Sequence, residues 1–589
     1  MWGLFTSTFL PRLKSSVRVG LASTVAASVL VACGTVSSTT APAPAAVTPT
    51  TGAKGSGTEG RNWIDGPKAP VTSSVRYQVA TSEIFIAARD GVQLGAKMFL
   101  PQGLTDGPRP CVLVADGYGH STPTGVALGG AVADVASRGY GAIHLSMRGS
   151  GNSGGTADLY NRLGQDGYDA VEWMAKQPWC NGRVGMVGAS LLGISQWLTA
   201  KQSPPHLQAI VPHVACGDCY DYVWYPGGML PGPGRAARPA NEYGSAMQHR
   251  DFDGFWLDRT TLAEDHRRIA ANGIAVLTTG GWNDYISPAN LEAFEQMPDN
   301  ARKKLVWGPD AHGAMLLNPQ PYSYYEFEAM WLDRYLRDIK NGIDTESAAV
   351  IYVQGPNLWR NESKWPIPDT TRLKLYLNGG SGTPAASLND GRLLPTRSRA
   401  SQSSVAVDYV PEAGPFLLTL LSQSKGRYPA DQRLEEKSVL TWTSPVLTVP
   451  TEVTGHIGFM FWASVHGTDA DFVALLTDVA PDGTSTQVTV GYLNASHAVS
   501  RKPQTVIQDA ATHYALNIWP TSYVFQAGHR IRLDVAGGTA AGLGVASPQG
   551  PGKSPYAAHI TIWQDVSHPS VLDLPVIGKN GIPGASGGR

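Results

Sequence analysis

The heptapeptide Val187-Gly188-Ala189-Ser190-Leu191-Leu192-Gly193 constrains the fold of this chain more than any other stretch. A short apolar run, residues 184–187, leads into it, and residues 191–201 after it carry a helical pattern. A serine between a strand and a helix occupies a tight, strained turn that lifts its hydroxyl above the sheet edge. The small residues at 188 and 193 let the backbone make that turn and let the helix pack closely. Gly-x-Ser alone recurs in ordinary loops; the flanking strand and helix mark Ser190 as a candidate nucleophile. The helix start also offers the positive end of its dipole and the N–H of Leu191 to a developing oxyanion.

Further apolar runs at 111–115, 141–145, 209–211, 275–279 and 305–307 read as buried parallel strands. Residues 83–100 alternate around a turn at Arg89-Asp90-Gly91, as two half-buried strands do. Helical patterns at 164–176, 191–201 and 325–341 fall between or after these runs. Strand and helix in alternation predict a doubly wound α/β domain, placed at 73–366. Residues 216–271 interrupt the rhythm with Gly/Pro loops and many aromatics, as a cap inserted over the sheet would. From 367 to 575 the pattern becomes short strands separated by turns, which predicts an all-β sandwich, most simply a jelly roll, with a tail at 576–589. The 66 glycines and 42 prolines agree with a large share of turns and β-structure.

A nucleophilic serine needs a general base, and in this class of fold its partners follow in the order Ser, acid, His. Asp284, in Gly280-Gly281-Trp282-Asn283-Asp284, follows the run 275–279, and His312 follows the run 305–307. Both thus fall just past the C-terminal ends of late strands, where open α/β sheets place their sites. His312 is expected to take the proton of Ser190, with Asp284 orienting the imidazole. Asp310 is the rival acid, read as a turn residue, and His120 and His144 are second choices for the base.

These residues give the chain its resemblance to the CocE/NonD family of serine hydrolases, which includes cocaine esterase, α-amino-acid ester hydrolases and X-Pro dipeptidyl-peptidases. The resemblance runs through Arg89-Asp90-Gly91-Val92, Arg148-Gly149, residues 164–186, 188–197, 281–284 and 308–312. It continues through Asp469-Ala470-Asp471-Phe472 and Gly528-His529-Arg530-Ile531-Arg532, covering about residues 75–570. It implies an α/β-hydrolase fold with an inserted cap and a C-terminal jelly roll. It also implies an oxyanion hole made by a tyrosine hydroxyl and the amide after the nucleophile, here Tyr118 and Leu191. Trp224 and Tyr225 are then candidates to line the substrate pocket, with core packing as the alternative. Two departures stand out: Leu191 where relatives often carry Tyr, and Ser146 where many carry Asp. Asp218 and Asp221 near the cap are the acidic residues to compare with the carboxylates that receive an ammonium in amino-acid ester hydrolases.

The implied activity is hydrolysis of a carboxylic ester or amide through an acyl-enzyme; an X-Pro dipeptidyl-peptidase with the same triad is the alternative. A surface lipoprotein with an inactive hydrolase domain is a more distant one. No cofactor is needed by this chemistry, and the substrate is a small-molecule ester, amide or peptide. A net charge of −1 with no basic run excludes a broad nucleic-acid footprint. Nothing in the sequence sets an oligomeric state.

Of the five cysteines, Cys111 and Cys180 are expected in the core. His213-x-x-Cys216-x-x-Cys219 has metal-like spacing, against which stands a disulfide or a merely buried pair. At the N-terminus, Arg12, Lys14 and Arg18 precede an apolar stretch closed by Leu30-Val31-Ala32-Cys33, the order of a secretory signal. Its end resembles a bacterial lipobox, so residues 1–33 are expected to be a signal with Cys33 lipidated, and the lipid to be the one membrane contact. Residues 34–72, rich in Thr, Ser, Ala, Pro and Gly, read as a tether.

Overall fold

The computed structural model describes residues 61–64, 76–104, 107–122, 125, 130–230, 240–309, 312, 324–379, 391–408, 431–538, 556 and 558–585. Cys33, Asp310 and most of the expected tether lie outside the described residues. Within 34–72, however, Asn62–Ile64 pairs antiparallel with Trp359–Asn361 as an edge strand of the first sheet, so these residues belong to the folded domain rather than to a tether.

The first sheet has eleven strands: β1 Asn62–Ile64, β2 Val79–Ala87, β3 Gln93–Pro101, β4 Arg109–Asp116, β5 Gly141–Ser146, β6 Cys180–Ala189, β7 Leu207–His213, β8 Ala275–Gly281, β9 Lys303–Gly308, β10 Ala349–Val353 and β11 Leu358–Glu362. Its order is β1-β11-β10-β9-β8-β7-β6-β4-β5-β3-β2, and β5-β4-β6-β7-β8-β9-β10 run parallel. The chain moves from β4 outward to β5, then crosses to β6 on the opposite side of β4. That reversal opens a crevice past the C-terminal ends of β4 and β6, the place where such sheets bind ligands.

The alternation of the strands decides what each face touches. Cys111, Leu113 and Ala115 of β4 enter one core with Met186, Trp197 and Ile210, while Val112 and Val114 enter the other with Val187, Val211 and Trp331. Apolar residues on both sides of a strand explain the unbroken runs in the sequence. Helices α1 Gly130–Ser137, α2 Leu163–Ala175 and α3 Leu191–Lys201 belong to the crossovers. Cap helices α4 Ala240–Gln248, α5 Gly254–Leu257 and α6 Ala263–Ala271 precede β8; α7 Ser287–Gln296 and α8 Tyr324–Leu336 follow it. The last helix stops at Leu336, not at Asn341 as its pattern predicts, because Asp338 turns left-handed at φ 59°.

A second eleven-stranded sheet between Thr371 and Ile577 forms the C-terminal jelly-roll domain. Its core is built from alternate residues such as Phe459, Phe461, Phe472, Leu516 and Leu533. The two domains are joined by a buried ion pair, Arg360 with both carboxylate oxygens of Glu452 at 2.9 and 2.8 Å. They also meet where Met229 of the cap packs on Val473, Leu475 and Val490. Among the described residues no helix is long and apolar enough to cross a membrane.

Candidate active site

Ser190 takes φ 58° and ψ −124°, outside the regions an L-residue prefers. Three backbone hydrogen bonds hold it there. Its N–H donates to His213 O at 2.9 Å, and its carbonyl accepts from Gly193 N at 2.8 Å and Ile194 N at 2.9 Å. Both flanking glycines are needed sterically. A Cβ on Gly188, which has φ 136°, would stand 2.6 Å from Leu192 Cβ, and one on Gly193 would stand 2.7 Å from Ala215 Cβ.

The side chain of Ser190 meets His312, with Oγ 2.9 Å from Nε2. His312 Nδ1 lies 3.1 Å from Asp284 Oδ1. In the consistent tautomer Oγ–H donates to Nε2 and Nδ1–H donates to the carboxylate. Asp284 is buried, at 1% exposure, and its remaining oxygen accepts the Ser287 hydroxyl at 2.5 Å. The three residues thus come together from the ends of β6, β8 and β9, in contact order Ser190–His312–Asp284. The sequence reading did not include Ser287; its place three residues after Asp284, in the Ser-Pro pair that opens α7, is the signal that could have found it.

A second histidine lies behind this relay. His213 ends β7, is fully buried and has Nδ1 2.7 Å from Thr279 Oγ1. Burial, reinforced by the His312 charge and only partly offset by Asp284, pushes its imidazolium down to about 3. It is a neutral neighbour of the relay over the working pH range.

The two oxyanion candidates sit on neighbouring elements. Leu191 is the first residue of α3, so its N–H has no acceptor within the helix. Tyr118 follows β4, the strand hydrogen-bonded beside β6, and packs half-buried against both cores. The loop between them fits without slack: a Cβ on Gly117 would stand 2.5 Å from Leu191 Cδ2.

Other expectations require correction. Trp224 and Tyr225 do not line an open pocket; both are completely buried in the cap, Tyr225 donating its hydroxyl to Ala246 O at 2.7 Å. Their rings pack about Trp256, so the core alternative describes them. Cys111 and Cys180 are in the core but are also bonded to each other, across β4 and β6. Cys216 and Cys219 form a second disulfide, which uses the thiolates a metal would need. Asp218 and Asp221 do cluster, but around Arg501 of the β-domain, whose guanidinium contacts both carboxylates. His120 and His144 serve Ser146 and Glu83, and Asp116, rather than Ser190.

The chain is similar to known proteins over most of its length. Residues 90–242 and 234–314 match the family model of the X-Pro dipeptidyl-peptidase (S15 family). Residues 341–573 match that of the X-Pro dipeptidyl-peptidase C-terminal non-catalytic domain. The chain is 29% identical over 536 residues to cocaine esterase of Rhodococcus sp. (strain MB1 Bresler), covering 78% of this chain and 91% of the esterase. It shares its fold with a CocE/NonD family hydrolase from Staphylococcus aureus, at TM-score 0.66 and 20% identity over 85% of this chain and 94% of that one. An aminopeptidase from Thaumarchaeota archaeon is similar in fold too, at TM-score 0.69 and 20% identity over 87% and 99% of the two chains.

Proposed function

The chain belongs to the CocE/NonD family of serine hydrolases, and from that premise we propose that it cleaves small-molecule carboxylic esters or amides through an acyl-enzyme on Ser190. The observation that carries this reading is the unbroken relay from Ser190 Oγ through His312 to Asp284, at 2.9 and 3.1 Å. Ser190 Oγ attacks the substrate carbonyl carbon while its proton passes to His312 Nε2. Asp284, fixed by Ser287, keeps Nδ1 protonated and offsets the imidazolium charge. The oxyanion is held by the Leu191 N–H and the Tyr118 hydroxyl. As the tetrahedral adduct collapses, His312 returns the proton to the leaving alcohol or amine. Water then attacks the acyl carbonyl by the same route, giving its proton to His312 and freeing Ser190. No step requires a cofactor.

Two observations favour an ester over an X-Pro peptide. The similarity to cocaine esterase spans 91% of that enzyme. A dipeptidyl-peptidase must also receive a free α-amino group, and the acidic pair Asp218 and Asp221 is engaged by the chain's own Arg501. Comparing kcat/KM for a p-nitrophenyl acyl ester and for an X-Pro p-nitroanilide tests this choice. The ester is expected to be preferred by about 100-fold or more, roughly 2.7 kcal/mol of transition-state discrimination; preference for the X-Pro substrate would make the chain a peptidase.

The same reading includes export and anchoring through a lipid on Cys33. It is supported by the basic–apolar–Cys order of the N-terminal residues and by the two disulfides, which suit an oxidising compartment. Mass analysis of the mature N-terminus is expected to find diacylglyceryl-modified Cys33; an unmodified Cys33 would overturn the anchor.

A further inference from the structure

Tyr118 lies in Asp116-Gly117-Tyr118-Gly119-His120, and both ends of this pentapeptide are fastened by buried polar side chains. Asp116, the last residue of β4, is completely buried. Its Oδ1 accepts the backbone N–H of Tyr118 at 2.7 Å, and its Oδ2 lies 2.9 Å from Nε2 of His144 on β5. At the other end, the N–H of His120 donates to Ser146 Oγ at 2.9 Å. Ser146 Oγ also lies 2.6 Å from His120 Nδ1, whose Nε2 is 2.9 Å from Glu83. These bonds satisfy one another. Ser146 accepts from the backbone and donates to Nδ1, leaving Nε2–H to donate to the Glu83 carboxylate.

The backbone between the two ends is confined as well. A Cβ on Gly117 would strike Leu191, and one on Gly119, at φ 93°, would come within 2.5 Å of Gly151 N. A fully buried carboxylate is a poor choice for stability alone, since desolvation costs several kcal/mol and an apolar residue of similar size does as well or better. What it supplies instead is orientation. A backbone N–H bonded to a carboxylate oxygen at 2.7 Å is a directional contact, and here it belongs to the residue whose hydroxyl the acyl-transfer reading uses. Ser146 supplies orientation in the same way at the other end. A hydroxyl there can accept from one partner and donate to another, whereas a carboxylate could only accept.

We propose that Asp116, oriented by His144, is a positioning residue for Tyr118, and that His120 with Ser146 fastens the far end of the same arm. This rests on the reading of Tyr118 as an oxyanion donor, so the experiment separates the two. A double-mutant cycle is run on the full-length enzyme with a p-nitrophenyl ester, using Tyr118→Phe, Asp116→Ala and the pair. Tyr118→Phe alone is expected to lower kcat by about 100-fold, as loss of an oxyanion donor does. Asp116→Ala is expected to lower kcat by about 10- to 100-fold with KM within about 2-fold, the size of effect that slight misplacement produces. In the Tyr118→Phe background the same substitution is expected to change kcat by less than about 3-fold. Asp116→Asn, which keeps an oxygen for the Tyr118 N–H, is expected to recover most of the activity lost in Asp116→Ala.

Full additivity of the two substitutions would overturn the positioning role while leaving Tyr118 in place. An unchanged kcat in Tyr118→Phe would overturn the oxyanion reading itself. Should Asp116→Ala fail to fold, His144→Leu replaces it in the cycle. Coupling to Tyr118→Phe then supports the proposal, and additivity overturns it.

Discussion

Gly117 and Leu191 are in such close apposition that a single methyl group on Gly117 would stand 2.5 Å from Leu191 Cδ2. One residue follows β4 and the other opens α3, so this contact sets the distance between the tyrosine arm and the nucleophile turn. Gly117→Ala is expected to push the two apart and lower kcat by about 10-fold or more, since small misplacements of catalytic groups are costly. Leu191→Ala in the same chain removes the clashing methyls while leaving its N–H, and is expected to restore most of the loss. Steady-state kinetics on the three variants check this; no rescue by the second substitution would count against the contact as the cause.

Asp284 acts through His312, and Ser287 acts through Asp284. Replacing Asp284 by Asn keeps the shape but favours the wrong imidazole tautomer, and about a 10⁴-fold fall in kcat is expected. Ser287→Ala removes one hydrogen bond to a buried carboxylate and is expected to cost about 10- to 100-fold, in line with roughly 1.5–3 kcal/mol for a bond to a charged group. Equal effects of the two substitutions would contradict this hierarchy.

The Cys111–Cys180 bond closes a separation of 69 residues between two neighbouring strands of the catalytic sheet. Replacing both cysteines by Ala is expected to lower stability by about 2–4 kcal/mol. Urea unfolding of the oxidised wild type and the double variant measures it. Identical midpoints would show that the bond adds nothing.

Acid should destabilise the fold through His213. Its imidazole is held neutral down to about 3 by burial, against an ordinary value of 6.5, and burial lowers His266 as well. Above pH 6.5 neither the folded nor the unfolded chain carries these protons. Between about pH 6.5 and 3 the unfolded chain binds a proton at position 213 that the folded chain refuses, so stability falls as pH falls. The slope is at most about 1.4 kcal/mol per pH unit for this one group. Denaturant unfolding at pH 7 and 4.5 should therefore show a smaller acid loss in His213→Leu than in the wild type. Parallel losses would exclude His213 as a source.

Much of this architecture was legible in the primary structure. Apolar runs bounded by turn residues located β4 to β9, because buried parallel strands need apolar residues on both faces. The order Ser190, Asp284, His312 was readable because each residue follows a strand directly. Features made by contacts distant in sequence were not readable. Cys111 and Cys180 look like core residues until β4 and β6 become neighbours, and Arg501 lies 283 residues beyond the Asp218 it contacts. The long strand Thr512–Phe525 is hard to read from sequence because exposed polar residues such as His513 and Asn517 dilute its apolar face. Trp224 and Tyr225 could be counted as aromatic, but only the packing about Trp256 decides that they face inward.

The most direct test of the central claim is hydrolysis of a short p-nitrophenyl ester by the purified wild type and by Ser190→Ala. With Ser190 as the nucleophile, the variant should lose nearly all activity, on the order of 10⁶-fold in kcat. Equal rates in the two proteins would place the nucleophile elsewhere and contradict the account.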